Sequence, residues 1–187
     1  LQKFFGWFLN VYIEIFRGTP MIVQSMVIFY GSAQAFNISL DRTWAAIFIV
    51  SINTGAYMSE IVRGGILAVD TGQFEAATAL GMTHGQTMRK VVLPQVVRNI
   101  LPATGNEFVI NIKDTSVLNV ISVVELYFTG NTVATQNYQY FPTFTIIAVI
   151  YFILTFTITR ILRYIERRLD SDTYTTGANQ MQVKEVK

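Results

Sequence analysis

The sequence predicts an all-α membrane protein, on three observations. Charged residues make up 14% of the 187 residues, against roughly 25% in an ordinary soluble domain. Uncharged runs at 18–40, 43–59 and 126–159 approach or exceed the roughly 20 residues that a helix needs to cross a bilayer core. Lysine and arginine are also divided very unequally between the segments that such spans would separate. The competing class is a soluble helical protein with unusually apolar buried helices.

Taken in order, residues 1–16 place Lys3 and Glu14 among aromatics, a pattern for an interfacial helix rather than a span. The run 18–40 contains MIVQSMVIFYG, with Pro20 where a first helical turn tolerates it. Asp41 precedes the run 43–59 as a candidate N-cap. The stretch 94–112 is weaker, because it carries Arg98 and Glu107. Within 126–159 the end PTFTIIAVIYFILTFTIT is the clearest span of the chain. The segment 171–187 is polar and reads as a disordered tail. Trp44, Tyr138 and Tyr140 fit an interfacial aromatic belt.

Orientation follows from the basic residues. If 37–42 and 113–141 share one side, that side holds only Arg42 and Lys113 of the 14 lysines and arginines. The bias puts the central segment 64–93 and the C-terminus on the cytoplasmic side. Composition also limits the chemistry. No cysteine is present, which excludes disulfides and thiolate metal sites. The net charge of +2 is too small for nucleic-acid binding to be the main task. There is no phosphate-cradling G-x-x-x-x-G-K-[ST] loop. The single histidine, His84, reads as solvated or capping and rules out a hydrolase triad. No catalytic or metal-binding residue is expected.

The segment 73–95 is the most informative. Residues 75–80 are good helix formers, Gly81 offers a stop where positive φ is cheap, and Thr83 with Gln86 forms a capping box. Pro94 biases Leu93 away from helix, so the second short helix is expected to end there. By physics alone this is a helical hairpin, either a connector or a rigid contact for a partner.

The order Glu75-Ala76-Ala77, Gly81, nine residues, Val91 and Leu93-Pro94 resembles the EAA loop of ABC importer permeases, which usually have isoleucine where Val91 stands. FRGTP at 16–20, GAYMSEIVRGGI at 55–66, KDTSVLNVIS at 113–122 and RYIERRL at 163–169 resemble the polar amino-acid uptake branch of that family. The resemblance implies a type I ABC importer transmembrane domain over 1–170, with a coupling loop at about 70–93. Of the family's usual five spans about four are seen, and the first is expected to precede residue 1. It implies a multi-pass protein of a bacterial plasma membrane, paired with a second permease subunit as a homo- or heterodimer. Its other partners would be two ABC ATPase subunits and an extracytoplasmic amino-acid-binding protein. ATP and magnesium would belong to the ATPases. In the family the EAA helix inserts into the ATPase, so Glu75, Ala76, Ala77, Leu80, Gly81, Leu93 and Pro94 are the candidate coupling residues.

Ionisable groups at membrane depth are costly and become functional candidates. Asn53, Tyr57 and Glu60 fall at i, i+4 and i+7, and Glu107, Asn111 and Asp114 repeat that spacing with Asn106 beside them. Each set lies on one helical face. Two such faces could line a path for a zwitterion. Alternatively, Glu60 pairs with Arg63 or Arg17, and Lys113 with Asp114, at the membrane edge. An ion-coupled secondary carrier acting alone, with Glu60 or Glu107 taking a proton, is the second functional reading. EIFRGTPMIV at 14–23 and EIVRGGILAV at 60–69 echo each other, without the repeated hydropathy that a duplication would leave.

Overall fold

The computed structural model describes the backbone of residues 2–185 and the side chains of residues 4–168. The elements among the described residues are all helices: α1 (Gln2–Gly18), α2 (Met21–Phe36), α3 (Arg42–Leu67), α4 (Thr71–Ala79), α5 (His84–Thr87), α6 (Leu93–Asp114), α7 (Leu126–Asn137) and α8 (Tyr140–Glu185). A π-helical turn, Met88–Val92, joins α5 to α6, and a 3-10 segment, Thr115–Ile121, follows α6. The tail expected from 171 falls on residues whose side chains lie outside the described set.

The helices α3 and α8, the latter over Tyr140–Arg168, are each long and apolar enough to cross a membrane. A third span results if 84–121 and 126–137, bent by 55° at the break, are counted as one. The helix α2 is apolar but has only 16 residues, about 24 Å at 1.5 Å per residue.

The chain divides into two compact units. The first comprises Leu1–Glu60 and Glu107–Phe156. Its core is Ala45, Ala46 and Ile49 of α3 against Leu118 and Ile121 of the 3-10 segment, flanked by Ile28 and Phe29 of α2. Small alanines on α3 allow the close approach that membrane helices use in place of hydrophobic drive. Asp41 caps α3, accepting from the backbone N–H groups of Thr43 and Trp44 at 2.9 and 3.1 Å. Glu125 caps α7 by accepting from Tyr127 and Phe128 N–H, and Tyr151 Oη of α8 donates to it at 3.0 Å. A capping carboxylate is favoured by the helix dipole, and here it also fastens α7 to α8.

Gly130 lies where α7 meets α8, and a Cβ there would fall inside the side chain of Ile147. Gly130→Val is therefore expected to lower the melting temperature of the detergent-solubilised protein by several degrees, since overpacking costs roughly 1–3 kcal/mol. Ile147→Ala in the same chain should restore most of that loss. A thermal-shift assay on both variants checks it.

The second unit comprises Ile61–Asn106 and Thr157–Lys187. Its core joins Val69, Val92 and Val96, with Ile66, Phe74, Met88 and Ile100 packed against them. Gly65 admits Ile100 so closely that no side chain fits.

One local expectation is corrected here. The chain does not leave the helix near Leu93. Leu93 is itself helical (φ −55°, ψ −40°), and its N–H reaches back to the Met88 carbonyl. A π turn slips the hydrogen-bond ladder by one residue. Pro94, which has no N–H to offer, then sits in the first turn of α6, where none is required.

Candidate functional site

The loop at 70–93 is built from two capped helices. Asp70 accepts from Gly72 N–H at 2.6 Å and starts α4. The helix ends at Leu80, and Gly81 takes φ +73°, the left-handed turn that L side chains disfavour. Thr83 and Gln86 then form the expected reciprocal box, with Thr83 N–H donating to Gln86 Oε1 at 2.9 Å and Gln86 N–H to Thr83 Oγ1 at 3.4 Å. Gln95 Nε2 donates to Gln73 Oε1 at 3.3 Å, tying α6 to α4.

Within this frame the candidate coupling residues divide by environment. Ala77 is buried, while Glu75, Ala76, Leu93 and Pro94 are exposed. Leu80 is 81% exposed, an apolar side chain held outward at the end of α4 beside the glycine turn. His84 opens α5 and is exposed.

The membrane stripes find partners that the spacing did not indicate. Asn53 is buried, and its Nδ2 donates to Gln24 Oε1 at 2.9 Å and to the Phe16 carbonyl at 3.3 Å. Gln24 Nε2 in turn donates to the Phe16 carbonyl, the Thr19 carbonyl and Thr19 Oγ1, each at 2.9 Å. Two buried amides thus satisfy backbone carbonyls at the α1–α2 corner, which would otherwise be costly in an apolar medium. At the same corner Arg17 pairs with Glu60 at 3.2 Å and lies 5.6 Å from the Tyr57 ring centre. The pairing of Glu60 with Arg17, one of those open to it, is present in the structure. Asn53, Tyr57 and Glu60 therefore converge on the FRGTP segment.

On α6, Glu107 is buried (8% exposed). Asn111 Nδ2 donates to the Glu107 carbonyl at 3.1 Å, and Thr54 Oγ1 of α3 donates to Asn111 Oδ1 at 3.0 Å. Asp114 and Lys113 are exposed at the end of the helix. Asn106 is exposed and belongs to the second unit. The hydroxyl of Thr104 is buried without a hydrogen-bond partner among the described residues. The helix α3 thus meets the α6 stripe through Thr54, a residue that the spacing had not selected. Gln24 and Thr19 were missed as well. An amide in the middle of an apolar run was the signal that marked Gln24.

The family of binding-protein-dependent transport system inner membrane components matches residues 1–171. This chain belongs to that family. Among its relatives, the glutamine transport system permease protein GlnP of Escherichia coli (strain K12) is 42% identical over 173 residues, covering 90% of this chain and 79% of the relative. The arginine transport system permease protein ArtQ of Bacillus subtilis (strain 168) is 37% identical over 168 residues, covering 90% and 77%. The L-cystine transport system permease protein TcyB of the same organism is 42% identical over 165 residues, covering 88% and 70%. A solved amino acid ABC transporter with histidines aligns with a TM-score of 0.80 and 43% identity, over 85% of this chain and 74% of that one. The MetNI methionine ABC transporter in an inward-facing conformation aligns with a TM-score of 0.73 at 21% identity, over 86% and 73%, and shares the fold. The chain is an inner-membrane permease component with the type I importer fold, and a multi-pass membrane protein. Its membership does not favour a carrier that acts alone.

Proposed function

We propose that this permease moves a polar amino acid, handed over by an extracytoplasmic binding protein, and that two ATPase subunits drive it through the loop at 70–93. A second permease subunit, identical or related, completes the membrane unit. The loop and the C-terminus face the cytoplasm, as the twelve-to-two division of basic residues supports. ATP and magnesium are held by the ATPases, and this chain has no catalytic role.

The observation that carries the reading is the outward-held Leu80 (81% exposed) beside Gly81, on a loop whose helices are both capped and whose base is packed on Val69, Val92 and Val96. An exposed apolar residue on a rigid support is the anchor that a partner's groove needs. The substrate class rests on the relatives transporting glutamine, arginine and cystine, and on the polar groups of α6. Glu107, Asn111 and Asp114 are the path residues that this favours. Asn53, Tyr57 and Glu60 support the path by holding the corner at Phe16 and Arg17.

Reconstitution tests the whole reading. Proteoliposomes holding permease, ATPase and binding protein should take up radiolabelled glutamine or arginine only with ATP. Uptake driven by an ion gradient in the absence of the ATPase would replace this reading with the secondary carrier. Glu107→Leu should reduce uptake roughly ten-fold, the loss of one hydrogen bond to a charged group, with the same amount of ATPase co-purifying. Unchanged uptake of every polar amino acid would remove Glu107 from the path.

A further inference from the structure

The described surface carries a strongly charged patch on α8 just past the most apolar part of the helix. About twenty helical residues cross a hydrocarbon core of about 30 Å, so a span that opens at Tyr140 is complete near Thr159. The next residue is Arg160, and Arg163, Arg167 and Arg168 follow. At about 100° per residue these four side chains and Tyr164 share one side of the helix. The opposite side is occupied: Leu162 and Glu166 lie 3.4 and 3.7 Å from where a Cβ on Gly105 of α6 would sit. The arginine side thus points away from α6.

Arg163, Tyr164 and Arg167 are exposed, and neither Arg163 nor Arg167 forms an ion pair among the described residues. Arg168 Nε donates to Tyr164 Oη at 3.0 Å, with its guanidinium 5.3 Å from the ring centre. That contact holds an amphipathic ring between cations, next to the exposed Ile161 and Ile165. Guanidinium groups fit phosphate in a bidentate manner, and a phenol ring is suited to the boundary between acyl chains and headgroups.

We propose that this face of α8 binds anionic phospholipid headgroups, with Arg163 and Arg167 on the phosphates and Tyr164 and Ile161 at the acyl boundary. The position of Arg160 one residue past a full bilayer crossing sets the depth. Charge complementarity selects anionic over zwitterionic lipid. The inference needs α8 to span the membrane and is independent of the coupling loop and the substrate path.

The test uses the assembled importer in phosphatidylcholine bilayers, with spin-labelled phosphatidylglycerol and phosphatidylcholine followed by electron paramagnetic resonance. The wild type should prefer phosphatidylglycerol, and less so at high salt. Arg163→Gln with Arg167→Gln should cut that preference by about two-fold or more, even when averaged over all boundary lipid. Arg163→Lys with Arg167→Lys should keep most of it and controls for folding. Equal preference in the wild type and the glutamine variant overturns the proposal. Loss of the ATPase subunits from the glutamine variant, with its lipid preference intact, also overturns it and makes the face a protein contact.

Discussion

Gly81→Val should reduce ATP-driven uptake by about ten-fold or more while the protein still inserts into the membrane. The cause is the backbone. Gly81 has φ +73°, and a Cβ there would meet nothing within 4 Å, so a Cβ by itself is not obstructed. A left-handed conformation costs an ordinary L residue about 1–2 kcal/mol, and a β-branched residue is an outlier there. Valine therefore opens the turn and displaces Leu80 from its outward position. Asparagine tolerates the left-handed region, so Gly81→Asn should keep most of the activity. The pair separates conformation from size. Uptake and stimulated ATP hydrolysis measured on both variants decide it, and equal activity of the valine and asparagine variants would mean that this turn does not set the contact.

The second large effect is on stability. Gln24→Leu removes three donor contacts to Phe16 and Thr19 and the acceptor of Asn53 Nδ2. Buried polar groups left without partners cost roughly 1–3 kcal/mol each, so the corner should lose about 2–4 kcal/mol in sum. Arg17→Gln touches the same corner with a much smaller result. The Arg17 side chain is 42% exposed, and such ion pairs contribute about 0–1 kcal/mol. Thermal denaturation in detergent should therefore show a drop of many degrees for Gln24→Leu and little change for Arg17→Gln. The reverse order would show that the ion pair of α1 with α3, not the amide network, dominates the stability of this corner.

Features that depend on a few neighbouring residues were legible in the sequence. The Asp41 cap, the Thr83–Gln86 box, the left-handed Gly81 and the two longest spans all follow from local chemistry and composition. Pro94 was misread because a proline rule assumes an α ladder, and a π turn removes the conflict. The stripes were visible as faces but their partners were not. Whether Asn53 meets Gln24, 29 positions away, or a group on α6 depends on helix packing that periodicity does not encode. Thr54, beside Asn53 in sequence, makes the contact to Asn111 instead. The Arg17–Glu60 pair was within reach of sequence reasoning only as one of two choices.

The π turn at Met88–Val92 also fixes an angle. It takes in one residue more than an α turn, and each residue is worth about 100° of rotation about the axis. Relative to the same residues in an unbroken α-helix running into α6, the loop side of the turn is therefore set back by rather more than a quarter of a revolution. Removing one residue from 88–92 would close the wide turn into an ordinary α turn and leave the loop and α6 in their present relation. Removing a second would leave no slack and would swing the loop, with Leu80 on it, around to a different azimuth. Where the permease presents its loop is thus set by a count of residues as much as by their identities.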